Sequence, residues 1–162
     1  MPTSVRIVFL GGLGEIGRNC MAIEQSAAAQ KGKKGDSRSG HDKSVLLIDC
    51  GLMFPNADMH GIDLVLPDFT YLRENAENIV GLVATHGHED HVGALQYLLR
   101  ELSFPIYGSA LTLGLARNRI DEAGLLGRTE LITVKDGERR MIGPFDVEFI
   151  PVTHSVPHAH AI

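Results

Sequence analysis

Three histidines and an aspartate lie within six residues of the chain, in the segment His86-Gly87-His88-Glu89-Asp90-His91. Imidazole nitrogens and carboxylate oxygens are side-chain atoms that bind zinc, and manganese and iron are chemical alternatives. The chain has 8 histidines in 162 residues. At this composition a chance match to H-x-H-x-D-H has a probability of roughly one in a thousand. The cluster therefore predicts a metal site.

The spacing within the cluster predicts two sets of ligands. His86 and His88 are two residues apart, so in extended backbone their side chains point the same way. Asp90 and His91 fall at the start of a predicted helix and can face a second position, so that one loop can serve two adjacent ions. Glu89 is given no ligand role. The order His-Glu-Asp-His differs from H-E-x-x-H, which disfavours a thermolysin-like protease.

Further histidines follow near the end of the sequence. His154 comes after a separate predicted strand, and with the cluster upstream it is favoured as a ligand rather than an ordinary loop residue. His158 could contact the ligands, act as an extra ligand or have no special role, and for His160 an ordinary strand residue is favoured. A structural zinc is the alternative for the whole site, but structural sites usually rely on cysteine, which the cluster lacks.

The elements that must position these residues are read from hydrophobic periodicity and turn residues. Strands are predicted over 5–10, 20–24, 45–49, 79–84, 105–107, 130–134, 139–142, 147–152 and 159–162. Helices are predicted from Asp68 to about Glu77, over 92–102, and from a Ser109 cap to about Glu122. The strand 5–10 is expected to be buried, and Asp136-Gly137 is expected to join its flanking strands in a hairpin. Single helices between strands favour sheets that are covered by helices on their outer faces.

A glycine-rich segment follows the first strand. Gly12 to Gly17 matches G-x-G-x-x-G, which is typical of dinucleotide sites when a helix comes next. The following residues read as a strand, and no acidic residue ends a second parallel strand at the required spacing. We therefore interpret the segment as a tight turn that lets backbone approach the metal pocket.

Composition limits the class of protein. The net charge is −5 and the pI about 5.9, so overall charge alone does not indicate a polyanion-binding module. Cys20 and Cys50 are expected to be buried reduced thiols. The apolar run 5–10 is too short for a membrane span, and a cytoplasmic protein is expected. Residues 26–44 are small, polar and glycine-rich, and predict a flexible insert in a hairpin.

Five segments carry a resemblance to a known family. THGHEDH at 85–91 resembles the metal-binding signature of the metallo-β-lactamase superfamily. FLGGLGEIGRN at 9–19, LLIDCGLMFP at 46–55, GIDLVLPDFTYL at 61–72 and THSVP at 153–157 resemble the N-terminal part of the ribonuclease J family, whose members also carry a β-CASP domain. The resemblance implies the fold class α/β (α+β), as a metallo-β-lactamase-like αββα sandwich of which 1–162 would be the N-terminal portion, without the β-CASP and C-terminal domains.

The resemblance also implies a two-zinc site. His86, His88 and His154 would hold one ion, and Asp90 and His91 the other. Two cations about 3.5–4 Å apart lower the pKa of a bridging water and stabilise charge on a scissile phosphate. Asp49 matches the superfamily's first acidic motif, a position that is usually structural or supports the ligands.

The activity implied is zinc-dependent hydrolysis of RNA, both as a 5′-3′ exonuclease and as an endonuclease, in mRNA turnover and rRNA processing. The partners implied are RNA and further copies of the full-length protein, as a dimer or tetramer. The family's bridging aspartate and final histidine would fall beyond Ile162, and His158 stands where many relatives carry aspartate. The 162 residues alone are therefore expected to bind metal weakly and to be poorly active.

Two other functions remain open at the level of sequence. One is a small-molecule hydrolase of the same superfamily, such as a glyoxalase-II-like thioesterase, and the glycine-rich and LVLPDF segments argue against it. The other is a non-catalytic interaction module on a decayed fold, and the intact ligand cluster argues against that. These two functions and RNA hydrolysis can be distinguished by measuring RNA turnover, thioester turnover and bound metal.

Overall fold

A computed structural model describes residues 4–26 and 43–162 of the chain. Its centre is a six-stranded sheet in the order β1-β2-β3-β4-β5-β6. The strands are Ser4–Gly11, Cys20–Ser26, Lys43–Ile48, Ile79–Val83, Ile106–Gly108 and Leu131–Thr133. The first three pair antiparallel and the last four pair parallel. The parallel strands therefore end at one edge of the sheet, where side chains from their following loops can meet.

Four helices and two small sheets complete the described part. The helices α1 to α4 are Thr70–Glu74, Glu89–Val92, Leu95–Leu98 and Ala110–Glu122, with 3-10 turns at Ala76–Asn78 and Leu126–Arg128. The hairpin strands β7 and β8 are Arg139–Ile142 and Phe145–Glu148, and β9 and β10 are Ile150–Val152 and Ala159–Ala161. Each pair is antiparallel.

Apolar residues alternate between the two faces of the sheet, as strand geometry requires. Leu47 packs with the helical residues Leu95 and Ile120 in one core cluster. Its neighbours Leu46 and Ile48 belong to a second cluster on the opposite face. That second cluster is closed by residues of β7, β8 and the link after them, namely Ile142, Val147 and Phe149. The result is a layered arrangement of helices, mixed sheet and a second β layer.

Most predicted elements are confirmed, with small shifts at their ends. Ser109 caps α4, since its hydroxyl accepts a hydrogen bond from the Thr112 amide at 3.2 Å. Asp68 accepts one from the Thr70 amide at 2.9 Å at the start of α1. Ser26, Lys43 and Ser44 are strand residues, and the remainder of the predicted flexible insert lies at 27–42, outside the described residues.

The predicted helix over 92–102 is broken into α2 and α3. The Ala94 amide donates to the Cys50 carbonyl at 3.0 Å, and the Asp90 carbonyl accepts from the Asn19 amide at 3.0 Å. The Ala94 amide and the Asp90 carbonyl therefore do not form the hydrogen bond with each other that a continuous α-helix would have. The predicted apolar stripe is nevertheless core, because Val92, Leu95 and their neighbours are buried.

Two further predictions are wrong. The strand 5–10 is not buried, since Val5 and Phe9 are 65% and 52% exposed; β1 is an edge strand whose alternate residues alone pack on the core. The strands around Asp136-Gly137 do not form a hairpin with each other. Gly137 has the positive φ of 74° expected of the turn, but its amide donates to the Phe149 carbonyl at 2.7 Å. The turn therefore leads the chain from the large sheet to the second layer.

The predicted strand 147–152 is also divided. Phe149 separates β8 from β9, and its amide donates to the Glu138 carbonyl at 2.9 Å, which extends the β7–β8 pairing by one residue before β9 begins. Its side chain is fully buried in the second core cluster. The loop after β9 carries His154 to the ends of the parallel strands, where its Nε2 lies 3.2 Å from Nδ1 of His88.

Candidate metal centre

Three histidine side chains converge at the carboxyl edge of the parallel strands. His86 and His88 follow β4, and His154 comes from the loop between β9 and β10. One ring nitrogen from each lies within 4.8 Å of the others. The Nδ1 atom of His88 lies 3.1 Å from Nε2 of His86 and 3.2 Å from Nε2 of His154. The structure thus brings together, from two sheets, the three residues predicted to hold one ion.

Asp49 is the buried carboxylate beneath this cluster. It is 5% exposed and lies directly after β3 with a φ of 60°, a left-handed conformation that aspartate tolerates better than most residues. Its Oδ1 accepts from the Thr85 amide at 2.8 Å, and its Oδ2 accepts from the Thr85 hydroxyl at 2.9 Å and from His91 Nδ1 at 2.7 Å. Asp49 therefore contacts the ligand loop at both of its ends.

These contacts assign the roles of the imidazole nitrogens. The Thr85 hydroxyl gives its proton to Asp49, so its oxygen is left to accept from Nδ1 of His86, 2.9 Å away. Nε2 of His86 then carries the lone pair that a metal requires. In the same way, donation from His91 Nδ1 to Asp49 leaves Nε2 of His91 free.

Asp90 and His91 form the second predicted set of ligands. The free Nε2 of His91 lies 3.4 Å from Oδ2 of Asp90. The Asn19 amide group lies between them: its Nδ2 is 3.1 Å from that Asp90 oxygen and 3.2 Å from His91 Nε2. Asn19 also donates to the Asp90 carbonyl at 2.9 Å, which fixes the loop that carries both residues.

The electrostatic environment acts differently on His86 and His91. Burial, reinforced by the neighbouring histidines, lowers the pKa of His86 to about 4, so this imidazole stays neutral as a ligand must. For His91, burial opposes protonation, but the hydrogen bond and charge of Asp49 outweigh it and raise the pKa. Imidazole nitrogens that converge at one point, beside a paired imidazole and carboxylate, form a donor set that fits divalent cations such as zinc.

The remaining predicted site residues lie farther out. Glu89 forms an ion pair with Arg119 of α4 at 2.5 Å, in line with its having no ligand role. His158 has a φ of 58° and its Nδ1 lies 4.0 Å from Asp136. The side chain of His160 is fully buried, and its Nε2 lies 2.9 Å from Oδ1 of the same aspartate. The structure therefore does not bring His158 or His160 to the cluster.

Sequence reasoning missed three supporting residues. The sequence assigns no role at the site to Asn19, which follows the glycine-rich turn, or to Thr85, which occurs only within the THGHEDH segment. Ser155, whose hydroxyl lies 3.3 Å from Nε2 of His88, follows His154 directly. Thr85 and Ser155 are each next to a predicted histidine ligand in the sequence, and this proximity could have indicated a supporting role. Asn19 is 71 residues from Asp90, and only the fold brings the two together.

The chain belongs to the metallo-beta-lactamase superfamily. The superfamily matches residues 38–162, which hold all five predicted ligands. The fold agrees: a subclass B3 metallo-beta-lactamase from a soil metagenome library superposes with a TM-score of 0.55 and 18% identity, over 95% of this chain and 52% of that one. The predicted αββα-type fold class is confirmed, and the family together with the histidine cluster indicates a divalent metal.

The predicted resemblance within the superfamily is also confirmed. The chain is 45% identical to ribonuclease J of Synechocystis sp. over 161 residues, which cover 98% of this chain and 23% of that protein. It is 39% identical to ribonuclease J of Helicobacter pylori, over 98% of this chain and 21% of the relative. The chain thus spans less than a quarter of the length of these two relatives. None of the helices in its described part has the length and apolar character of a membrane span.

Proposed function

We propose that the protein containing this chain hydrolyses phosphodiester bonds in RNA at a two-zinc site. The observation that carries the proposal is the convergence of His86, His88 and His154, whose ligand nitrogens lie within 4.8 Å of one another. Nearly the whole chain is similar to proteins named ribonuclease J, and this similarity supports RNA as the substrate of the metal centre.

The residues have distinct roles in this proposal. His86, His88 and His154 hold one zinc ion, and Asp90 and His91 hold the second. Asp49 and Thr85 keep the imidazole protons away from the metal-facing nitrogens, and Asn19 and Ser155 orient the remaining ligands. When bound, two zinc ions supply a water of lowered pKa and positive charge for the scissile phosphate.

The rest of the proposal concerns the whole protein. We infer 5′-3′ exonuclease and endonuclease activity in mRNA turnover and rRNA maturation, in the cytoplasm, by a homo-oligomer. The 162 residues would form part of its metallo-β-lactamase-like domain, with a β-CASP domain and the remaining ligands supplied elsewhere. The similarity to ribonuclease J supports these inferences.

The test compares RNA and thioester hydrolysis by the full-length protein, loaded with zinc or manganese. We expect degradation of 5′-monophosphorylated RNA, no thioester turnover, and loss of at least ~10³-fold of the RNA activity in His88→Ala, since a ligand is removed. His60→Ala is the matched control, because His60 lies in the exposed loop before α1. Thioester turnover without RNA cleavage would overturn the proposal, as would protein that binds no metal.

A further inference from the structure

A cavity lies beside the second predicted ligand pair, Asp90 and His91, and extends away from the histidine cluster. It has a volume of about 420 Å³, within the range of small-molecule sites, and Asp90 lies in its wall. Glu89, at the start of α2, also lines the cavity. The other walls come from the glycine-rich segment and the loop after β3, namely Ile16, Gly17, Leu52, Met53, Phe54 and Asn56. The cavity therefore opens directly next to the place where a bond would be cleaved.

The surface of this cavity is unusually apolar for its position. Ile16 is 92% exposed and Phe54 is 64% exposed, although both line the same cavity as the carboxylates of Glu89 and Asp90. Large apolar groups left in water cost free energy that a bound ligand recovers. An exposed aromatic ring next to a reactive centre offers a flat face on which a planar group can stack.

The cavity wall is held in place before any ligand binds. Met53 and Val65 exchange two backbone hydrogen bonds of 2.9 Å, and the Leu52 amide donates to the Glu89 carbonyl at 3.0 Å. The Arg18 amide donates to the Leu52 carbonyl at 3.0 Å. Such a preformed wall lowers the entropy cost of binding.

The charges of the wall select the part of the substrate that fits. Among the described residues that line the cavity, two are acidic, Glu89 and Asp90, and none is Lys or Arg. Glu89 is paired with Arg119 of α4, so Asp90 is the group that would repel a phosphate there, whereas an uncharged base would not be repelled. Asn56 offers an amide that can donate to or accept from the edge of any base.

We infer that this cavity is a base-binding subsite, in which one nucleobase of the RNA substrate stacks on Phe54 while the adjacent phosphate lies at the metal centre. The inference rests on the proposed RNA hydrolysis and adds the group that positions the strand. Any nucleobase can stack on one aromatic ring, so the subsite should bind a nucleotide of any sequence more tightly than an abasic one.

The experiment uses the full-length protein with Phe54→Ala, Phe54→Trp and the control Ile62→Ala, an exposed residue of the same loop that does not line the cavity. Each variant is assayed on RNA, on RNA with one abasic residue moved along the strand, and on bis(p-nitrophenyl) phosphate, a diester without bases. We expect Phe54→Ala to raise KM for RNA by ~5- to 100-fold. Turnover of the small diester should stay unchanged, and Phe54→Trp should restore the RNA KM. At one abasic position, wild type and Phe54→Ala should become equal.

Binding of RNA to chelator-treated protein, measured by fluorescence anisotropy, separates this inference from the proposed function. Weaker RNA binding by Phe54→Ala supports the subsite even if the wild type does not cleave RNA. Normal RNA cleavage and binding by Phe54→Ala would overturn the subsite alone. Equal losses on RNA and on the small diester would also overturn it, because they would show a general disturbance of the metal centre. Absence of both RNA cleavage and RNA binding in the wild type would overturn both proposals.

Discussion

At the scale of single residues, the centre depends on groups that do not face the metal. Asp49 accepts three hydrogen bonds from the ligand loop. It contacts His91 directly and reaches His86 through the Thr85 hydroxyl, so it supports one predicted ligand of each ion. Partners of this kind fix the ring orientation and tautomer of metal-binding histidines, and their loss typically costs 10- to 100-fold in metal affinity, an order-of-magnitude range. The ligands themselves are thus only half of the arrangement.

Replacement of Thr85 by valine tests this relay. Valine keeps the shape of the side chain but removes the hydroxyl that lies between Asp49 and His86. We expect zinc affinity to fall about 10- to 100-fold with the fold intact, and Thr85→Ser to retain most of it. Calorimetric titration of zinc into metal-free protein measures both, with Thr133→Val, at an exposed position in β6, as the control. Unchanged affinity in Thr85→Val would show that the relay does not orient His86.

At the scale of elements, one buried glutamate connects three strands and a helix. Glu24 of β2 accepts from Arg6 of β1 at 2.7 Å and from Tyr71 of α1 at 2.7 Å, and it pairs with Lys43 of β3 at 2.5 Å. Burial alone would raise the pKa of Glu24, but these three donors outweigh burial and lower it to about 2.

This lowered pKa predicts a specific loss of stability in acid. Because the folded pKa lies below the ordinary value, the glutamate stabilises the fold fully above the unfolded pKa and loses this contribution as the pH falls towards about 2. We expect Glu24→Gln to be less stable near neutral pH and to show a flatter stability profile in acid. Urea unfolding between pH 2 and pH 7 measures this. Parallel profiles for wild type and Glu24→Gln would contradict it.

The backbone after Asp49 packs so closely against the backbone at Asp90 that a side chain at position 51 would not fit between them. A Cβ atom on Gly51 would lie 1.6 Å from the Asp90 carbonyl oxygen. We expect Gly51→Ala to cost about 1–3 kcal/mol or more and to weaken metal binding, because the two loops must separate. Gly114 in α4 is the matched control, since its Cβ would meet nothing within 4 Å, and Gly114→Ala should instead stabilise by about 0.5–1 kcal/mol. Chemical unfolding measures the free energy of unfolding of both variants. Similar changes in the two variants would show that the short distance between Gly51 and Asp90 does not exclude a side chain.

At the scale of the whole molecule, the centre joins two layers. His86 and His88 follow the large sheet, whereas His154 belongs to the β9–β10 hairpin, whose His160 amide donates to the Thr85 carbonyl at 3.0 Å. A bound ion would therefore link the layers, and it would bind the folded chain in preference to the unfolded one.

Metal removal should accordingly lower stability. At a free metal concentration of about 100 times Kd, binding contributes roughly 2.7 kcal/mol. We expect a chelator to lower the Tm of the protein, zinc or manganese to restore it, and His154→Ala to reduce the metal-induced rise. His60→Ala should leave the rise unchanged. Thermal unfolding with and without metal measures this, and a Tm that does not respond to metal would contradict the proposed centre.

The sequence by itself indicated the candidate ligand residues and the strands that carry them, because H-x-H-x-D-H and period-two hydrophobic runs are local signals. It also indicated the family, through short segments near the site. Only the tertiary structure decided that β6 pairs with β5 rather than with β7, that β1 keeps one face exposed, and that Asn19 reaches Asp90. Those outcomes depend on contacts between residues that are far apart in the chain. A local signal such as the Asp136-Gly137 turn predicts the turn itself, but it does not predict which strands will pair.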